Sequence, residues 1–102
     1  AIQDAYKEAI NTPLDTANKC LDVLKLAREI ADKGMKSSMS DVGVGARMAH
    51  AGMHGAIMNV KINLPSITDK KYNEKMLKEC AKLTKDGDKL LGDILRIVES
   101  KL

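Results

Sequence analysis

Polar side chains that could hold or transform a substrate occur along one segment of this 102-residue sequence. Asp41 could transfer a proton, and the carboxamides of Asn59 and Asn63 could hold a polar group by hydrogen bonds. Ser38, Ser40 and Asp41 resemble a helix start, with Ser38 as the N-cap of a capping box. Such a start is either purely structural or leaves backbone amides that bind an anion or a carbonyl oxygen.

The spacing of these groups limits what they can do together. Asp41 and Asn59 are 18 positions apart, or about 27 Å on one helix at 1.5 Å per residue. They cannot flank one reacting atom within a single chain. We therefore expect two chains to cross in antiparallel orientation, so that Asp41 of one approaches Asn59 and Asn63 of the other.

The pair His50 and His54 has the i, i+4 spacing of two zinc ligands on a helix. No acidic or cysteine ligand accompanies the pair on the same helix face, and Arg47 and Lys61 make that face basic. We therefore expect a solvated or anion-facing row and no metal site.

Glycines are unusually frequent in the same segment. At about 100° per residue the segment separates into two faces. One face carries small and polar residues: Asp41, Gly45, Met48, Gly52, Gly55, Ala56, Asn59 and Asn63. The other carries Gly43, Arg47, His50, His54, Ile57 and Lys61. Each glycine costs roughly 1 kcal/mol against alanine in a helix, so the glycines indicate close approach of either another helix or a ligand.

The elements that must position these residues are all helical. Apolar residues recur at intervals of three and four, and no period-two runs or hairpin signals indicate strands. Residues 14–33 carry two such rows, the second formed by Cys20, Val23, Ala27 and Ile30. The last segment carries one row from Tyr72 to Ile97, in which Gly87, between Asp86 and Asp88, is a possible bend. The pattern predicts helices over residues 1–11, 14–33, 42–64 and 68–102, in an all-α bundle with the small-residue-rich helix 42–64 at its centre. Pro13 is expected to restart or kink the chain, and Gly34 to end a helix in the left-handed conformation.

Composition excludes several classes of protein. A net charge of +3 without a basic cluster, and two tyrosines as the only aromatic residues, argue against nucleic-acid binding. No apolar run is long enough to predict a membrane span. Cys20 and Cys80 lie on apolar rows without metal-ligand spacing, which favours reduced thiols and a cytoplasmic location. A core with so few aromatic residues is thin, which favours a homodimer.

Two motifs resemble a known family. GMKSSMSDVGVGA (34–46) and GAIMNVKINL (55–64) are similar to the paired motifs of the cyclodeaminase/cyclohydrolase family of folate enzymes. The flanking PLDTANKCLDVLKLA (13–27) and PSITDKKY (65–72) also resemble it, so that the similarity covers essentially the whole chain.

The resemblance implies a dimeric all-helical domain that acts on tetrahydrofolate derivatives without any further cofactor. The reaction would be cyclisation of 5-formiminotetrahydrofolate with loss of ammonia, or interconversion of 5,10-methenyl- and 10-formyltetrahydrofolate. Carried over by position, Asp41 is the catalytic candidate, and the substrate-binding candidates are Ser38, Ser40, Asn59 and Asn63.

The sequence also departs from the family pattern. Met35 and Ser37 stand where the family usually has asparagine, and no proline- and glycine-rich segment precedes Ala1. Residues 1–102 are therefore expected to be the C-terminal part of a single domain whose N-terminal helices are absent, and to be inactive alone. The alternative is a non-catalytic helical module that dimerises or holds a partner.

Overall fold

The computed structural model describes all 102 residues as three long helices joined by two short 3₁₀ turns. The helices are α1 (Ile2–Lys33), α2 (Met39–Asn63) and α3 (Lys70–Lys101). The turns are Lys36–Ser38 and Leu64–Ser66. The all-α prediction is confirmed. None of the three helices is long and apolar enough to cross a membrane.

The helices run up, down and up, so that α2 is antiparallel to both of the others. The start of α1 is joined to the start of α3 by the Lys7–Asp69 ion pair, at 2.9 Å. At the other end, the Lys101 ammonium donates to the Ala31 and Asp32 carbonyl oxygens at 2.6 and 2.8 Å. The result is a rod of 53 × 17 × 16 Å.

The core is a row of aliphatic and methionine side chains with no buried polar or charged residue. Leu24, Met53 and Ile94 are among the fully buried residues and represent one helix each. The row predicted for α3 from Tyr72 to Ile97 is the face that packs inward, since its members are buried or half-buried. The predicted second apolar row of α1 is only partly covered, because Val23 and Ile30 remain about half exposed, at 48% and 51%.

Pro13 neither ends nor restarts α1, and the predicted boundary at residue 11 is wrong. The apolar face continues through the proline, because Ile10 on one side and Ala17 and Leu21 on the other enter the same core. Each fully buried Ile or Leu contributes about 1.5–3 kcal/mol, which together offsets the roughly 3 kcal/mol that an interior proline costs.

The start of α2 also differs from the prediction. Gly34 is extended, at φ −74° and ψ 159°, and is not left-handed. A larger residue does not fit at this position, because a Cβ there would lie 2.7 Å from the Ile30 carbonyl oxygen. Ser38 does not form a capping box, since its hydroxyl donates to the Met35 carbonyl oxygen at 2.9 Å. The preceding 3₁₀ turn, in which the Ser38 amide donates to the same carbonyl, leads into the helix instead.

Candidate functional site

Two separate open clefts are lined by α1 and α2, and we refer to them together as the groove. One section, of about 570 Å³, lies near the C-terminal end of α2, and the other, of about 390 Å³, lies near its N-terminal end. Because the two helices are antiparallel, the first section borders the beginning of α1 and the second borders its end. We call these the polar section and the apolar section.

The polar section is lined by α1 residues around Pro13 and by Gly52, Gly55, Asn59 and Asn63 of α2. The Asn63 side-chain nitrogen donates to the Asn59 backbone oxygen at 2.8 Å. This bond leaves the Asn63 carboxamide oxygen and the Asn59 carboxamide for other partners.

Pro13 changes the opposite wall of the polar section. A proline has no N–H, so the helix cannot supply the usual hydrogen bond to the Ala9 carbonyl, and Ala9 also lines the groove. Pro13 and Ala9 therefore form the wall of the polar section across from the carboxamides of Asn59 and Asn63.

The apolar section is formed by Val23, Leu26 and Ile30 of α1 and by the first turns of α2. Ser38 and Asp41 are its polar lining residues. These three side chains on the α1 wall are about half exposed, from 48% for Val23 to 59% for Leu26. Such a surface suits an apolar partner that has a polar group near Asp41.

Four of the five predicted site residues thus fall into two places. Asn59 and Asn63 share the polar section, and Ser38 and Asp41 share the apolar section. Ser40 is exposed and lines neither. Since α2 is one continuous helix from Met39 to Asn63, the separation of Asp41 from the asparagines within a chain is as predicted.

The glycines of α2 do not share one structural role. Gly52 permits close packing, because a Cβ there would lie 3.2 Å from the Cys20 sulfur. Gly43 lies against Val98 of α3, but a Cβ there would make an ordinary contact at 3.5 Å. A Cβ at Gly45 or Gly55 would meet nothing within 4 Å. Packing inside this bundle does not explain these two, which line the apolar and the polar section respectively.

The opposite face of α2 was predicted to be a solvated or anion-facing basic row, and the solvated alternative is wrong for the two histidines, which face the Asp88 carboxylate of α3. Gly43 and Ile57 are buried on that face, and His50 and His54 are half-buried against α3. Both Nε2 atoms lie close to one carboxylate oxygen of Asp88, at 2.7 and 2.8 Å. The hydrogen bonds from His50 and then His54 hold the pKa of Asp88 below its usual range.

Sequence reasoning missed Asp88 because it considered ligands on α2 alone. The available signal was Gly87 within the buried row of α3, which was interpreted as a possible bend. Gly87 instead lies inside a continuous helix and packs on Met53. A glycine there allows α3 to approach α2 closely enough for the short Asp88 side chain to reach the histidines.

Comparison of the sequence with known proteins places the chain in a defined class. The model of the formiminotransferase-cyclodeaminase family matches residues 1–82. A methenyltetrahydrofolate cyclohydrolase of Methylorubrum extorquens is 36% identical over 101 residues, covering 99% of this chain and 49% of that relative. A formimidoyltransferase-cyclodeaminase of Dictyostelium discoideum is 35% identical over 104 residues, and one of Gallus gallus is 30% identical over 101.

The class is therefore that of the folate cyclodeaminases and cyclohydrolases. The chain belongs to the formiminotransferase-cyclodeaminase family. It spans about half the length of the bacterial relative, at 49%, and 19% of the length of the two cyclodeaminases. The resemblance drawn from the two sequence motifs is confirmed.

Proposed function

We propose that the complete protein acts in folate one-carbon metabolism, as a methenyltetrahydrofolate cyclohydrolase or as a formiminotetrahydrofolate cyclodeaminase. The observation that carries the proposal is the polar section, in which two carboxamides face an open groove on a helix with unfilled glycine positions. The relatives named for these two activities support it, since they match across 99% of this chain.

In this proposal Asn59 and Asn63 hold the tetrahydrofolate derivative by hydrogen bonds, and Asp41 moves a proton at a folate nitrogen. Hydrogen-bonding dipoles that are already in place can stabilise charge at a cationic methenyl carbon without reorganising. An exposed carboxylate can exchange protons with water between turnovers. Ser38 and Ser40 shape the helix start beside Asp41.

A homodimer is part of the proposal, because Asp41 and the asparagines lie in different sections of the groove. Two copies that pack antiparallel along their grooves would bring the apolar section of one against the polar section of the other. The exposed Val23, Leu26 and Ile30 side chains and the open Gly45 and Gly55 positions support such packing. Light scattering on the complete protein tests this, and a monomeric mass would exclude it.

The activity test follows the absorbance of methenyltetrahydrofolate with the complete protein. Asn63→Ala is expected to lower kcat/KM about tenfold, which corresponds to about 1.4 kcal/mol of lost transition-state binding. Asn18→Ala is a matched control, because Asn18 donates to the carbonyl four residues earlier just as Asn63 does, at 3.0 Å, but lies outside the groove. Absence of turnover, or equal losses in both variants, would refute the proposal.

The cyclodeaminase reaction is distinguished by its product. Release of ammonia from 5-formiminotetrahydrofolate, measured with a coupled assay, assigns the cyclodeaminase. Loss of methenyltetrahydrofolate faster than in buffer, without any use of the formimino substrate, assigns the cyclohydrolase. We place either activity in the cytoplasm, on the support of two cysteines that are both free thiols.

A second candidate function is a non-catalytic helical module that dimerises or holds a partner. The exposed apolar side chains along the groove favour it, including Leu26 at 59% and Val23 at 48% exposure. The two candidates differ in their response to ligand. Stabilisation of the complete protein by a tetrahydrofolate derivative, measured by thermal shift, supports the enzyme and counts against the module.

A further inference from the structure

A cluster of potential metal ligands lies between α2 and α3, on the opposite side of α2 from the groove. It consists of His50, His54 and Asp88. We propose that these three residues bind a divalent transition metal ion, with zinc favoured, which links α2 to α3. The proposal does not depend on the folate activity, because the ligands and the groove residues lie on different faces of α2.

The donor atoms already converge on one point. The Nε2 atoms of His50 and His54 lie 3.1 Å apart, and each lies 2.7–2.8 Å from the same Asp88 oxygen. Around a tetrahedral zinc ion with ligands at 2.0–2.1 Å, neighbouring donor atoms are about 3.3–3.4 Å apart. To receive the ion, the two Nε2 atoms need to separate by about 0.2–0.3 Å from each other and by about 0.5–0.7 Å from the Asp88 oxygen.

The same three atoms can share either protons or a cation. If both Nε2 atoms carry hydrogen, each donates to the same Asp88 oxygen, at 2.7 and 2.8 Å. If both Nε2 atoms are unprotonated, a cation can accept a lone pair from each of them and from the carboxylate at once.

The backbone holds the ligands in place from both sides. His50 and His54 are one turn apart on an uninterrupted stretch of α2, with the fully buried Met53 between them. Gly87 packs directly on Met53, which fixes the neighbouring Asp88 at the helix interface. Ligands on rigid, packed elements lose little conformational entropy on binding, which favours a defined geometry.

The chemistry of the ligands indicates the class of metal. Two imidazoles and one carboxylate suit zinc and its transition-metal neighbours better than magnesium or calcium, which prefer oxygen ligands alone. The side chains are 23% exposed for His50, 38% for His54 and 53% for Asp88. The site is thus open on one side, where water can complete the coordination sphere.

Three positively charged residues lie near the ligands along the two helices. Arg47 and Lys61 share the helix face of the histidines, and Lys89 follows Asp88, and all three are exposed. Their long side chains can turn into solvent, where the charges are screened beyond about 8–10 Å. They weaken the attraction for a cation without blocking the ligands.

The test is titration of the purified protein with zinc chloride, followed by isothermal calorimetry and by metal analysis after dialysis. We expect one zinc ion per chain and a rise in thermal midpoint with zinc. His54→Ala and Asp88→Asn should each weaken zinc binding by more than the roughly 10- to 100-fold that loss of an outer-sphere partner costs. Both variants should abolish the thermal shift.

Asp86→Asn is the matched control, because Asp86 is an aspartate on the same helix that lies with Lys82 on a different face. It should bind zinc as the unmodified protein does. Cobalt chloride serves as a second probe, since tetrahedral Co²⁺ absorbs in the visible region and a thiolate ligand adds a charge-transfer band. That band should be absent if Cys20 and Cys80 take no part.

Three results would overturn the proposal. They are absence of saturable zinc binding, equal zinc affinity in Asp88→Asn and the unmodified protein, and a cobalt–thiolate band that Cys20→Ser removes. Circular dichroism and thermal denaturation without metal establish that each variant is folded. A variant that does not fold is replaced by His50→Gln, which keeps a polar side chain of similar length at the same helix interface.

Discussion

Gly55→Ala should make the folded chain more stable and at the same time impair whatever the groove binds. Gly55 lies in the middle of α2, is exposed, and has no atom within 4 Å of the position that a Cβ would take. Alanine in a helix interior is favoured over glycine by about 0.8–1.0 kcal/mol, partly through lower entropy of the unfolded chain. No contact in this chain opposes that gain.

The gain is large enough to measure. About 1 kcal/mol changes the folding equilibrium roughly fivefold, and in a domain of this size it raises the thermal midpoint by about 4–8 °C. Urea denaturation followed by circular dichroism gives the free energy of unfolding. Gly92→Ala is the matched control, because Gly92 is an exposed helical glycine of α3 that also has open space at the Cβ position.

The two variants should differ in function. A methyl group at residue 55 projects into the polar section of the groove, where overpacking against a bound partner costs about 1–3 kcal/mol. Dimer association or substrate affinity should therefore fall about tenfold in Gly55→Ala and stay unchanged in Gly92→Ala. Equal stabilisation of both variants with no functional loss in either would refute the argument that the glycine keeps the groove open.

Three further predictions concern the packing of the helices and their ends. Gly87→Ala should lower the free energy of unfolding, whereas Gly55→Ala should raise it, because the new Cβ at residue 87 would lie 2.5 Å from the Met53 sulfur. Overpacking costs about 1–3 kcal/mol, which exceeds the gain of about 1 kcal/mol in helix propensity. A raised urea midpoint would contradict this prediction. Lys101→Met should lower the free energy of unfolding by about 1 kcal/mol, because the ammonium of Lys101 donates to two carbonyl oxygens at the end of α1; an unchanged thermal midpoint would show that water replaces these bonds at no cost. Asp69→Asn should destabilise the protein at neutral pH but not at low pH, since the hydrogen bonds from Lys7 and from the amide of Tyr72 lower the pKa of Asp69. The ionised carboxylate contributes stability above the unfolded-state pKa of about 3.9, and this stability is lost as the pH falls through the lowered folded-state pKa. A constant difference in urea midpoint between the variant and the unmodified protein from pH 2 to 7 would contradict the assignment.

Helix periodicity was sufficient to predict the fold class and the inward face of α3, because burial of an apolar row dominates the free energy of a small bundle. It failed at the single residues where local preference competes with packing. Pro13 favours a helix start, but the core on both sides of it keeps α1 continuous. Gly34 favours a left-handed end, but contact with the Ile30 carbonyl is what requires a glycine there.

The candidate site shows the same division between local and long-range information. The separation of Asp41 from Asn59 follows from helix rise alone and could be calculated from the sequence. The meeting of Asp88 with His50 and His54 could not, because it depends on how closely two helices approach and on their relative rotation. The approach depends on a glycine facing a methionine, Gly87 on Met53, and that pairing is specified only when the register between α2 and α3 is known. In a helical bundle, the sequence therefore predicts the relative positions of groups on one helix well. Clusters of side chains from two helices can be identified only from the structure.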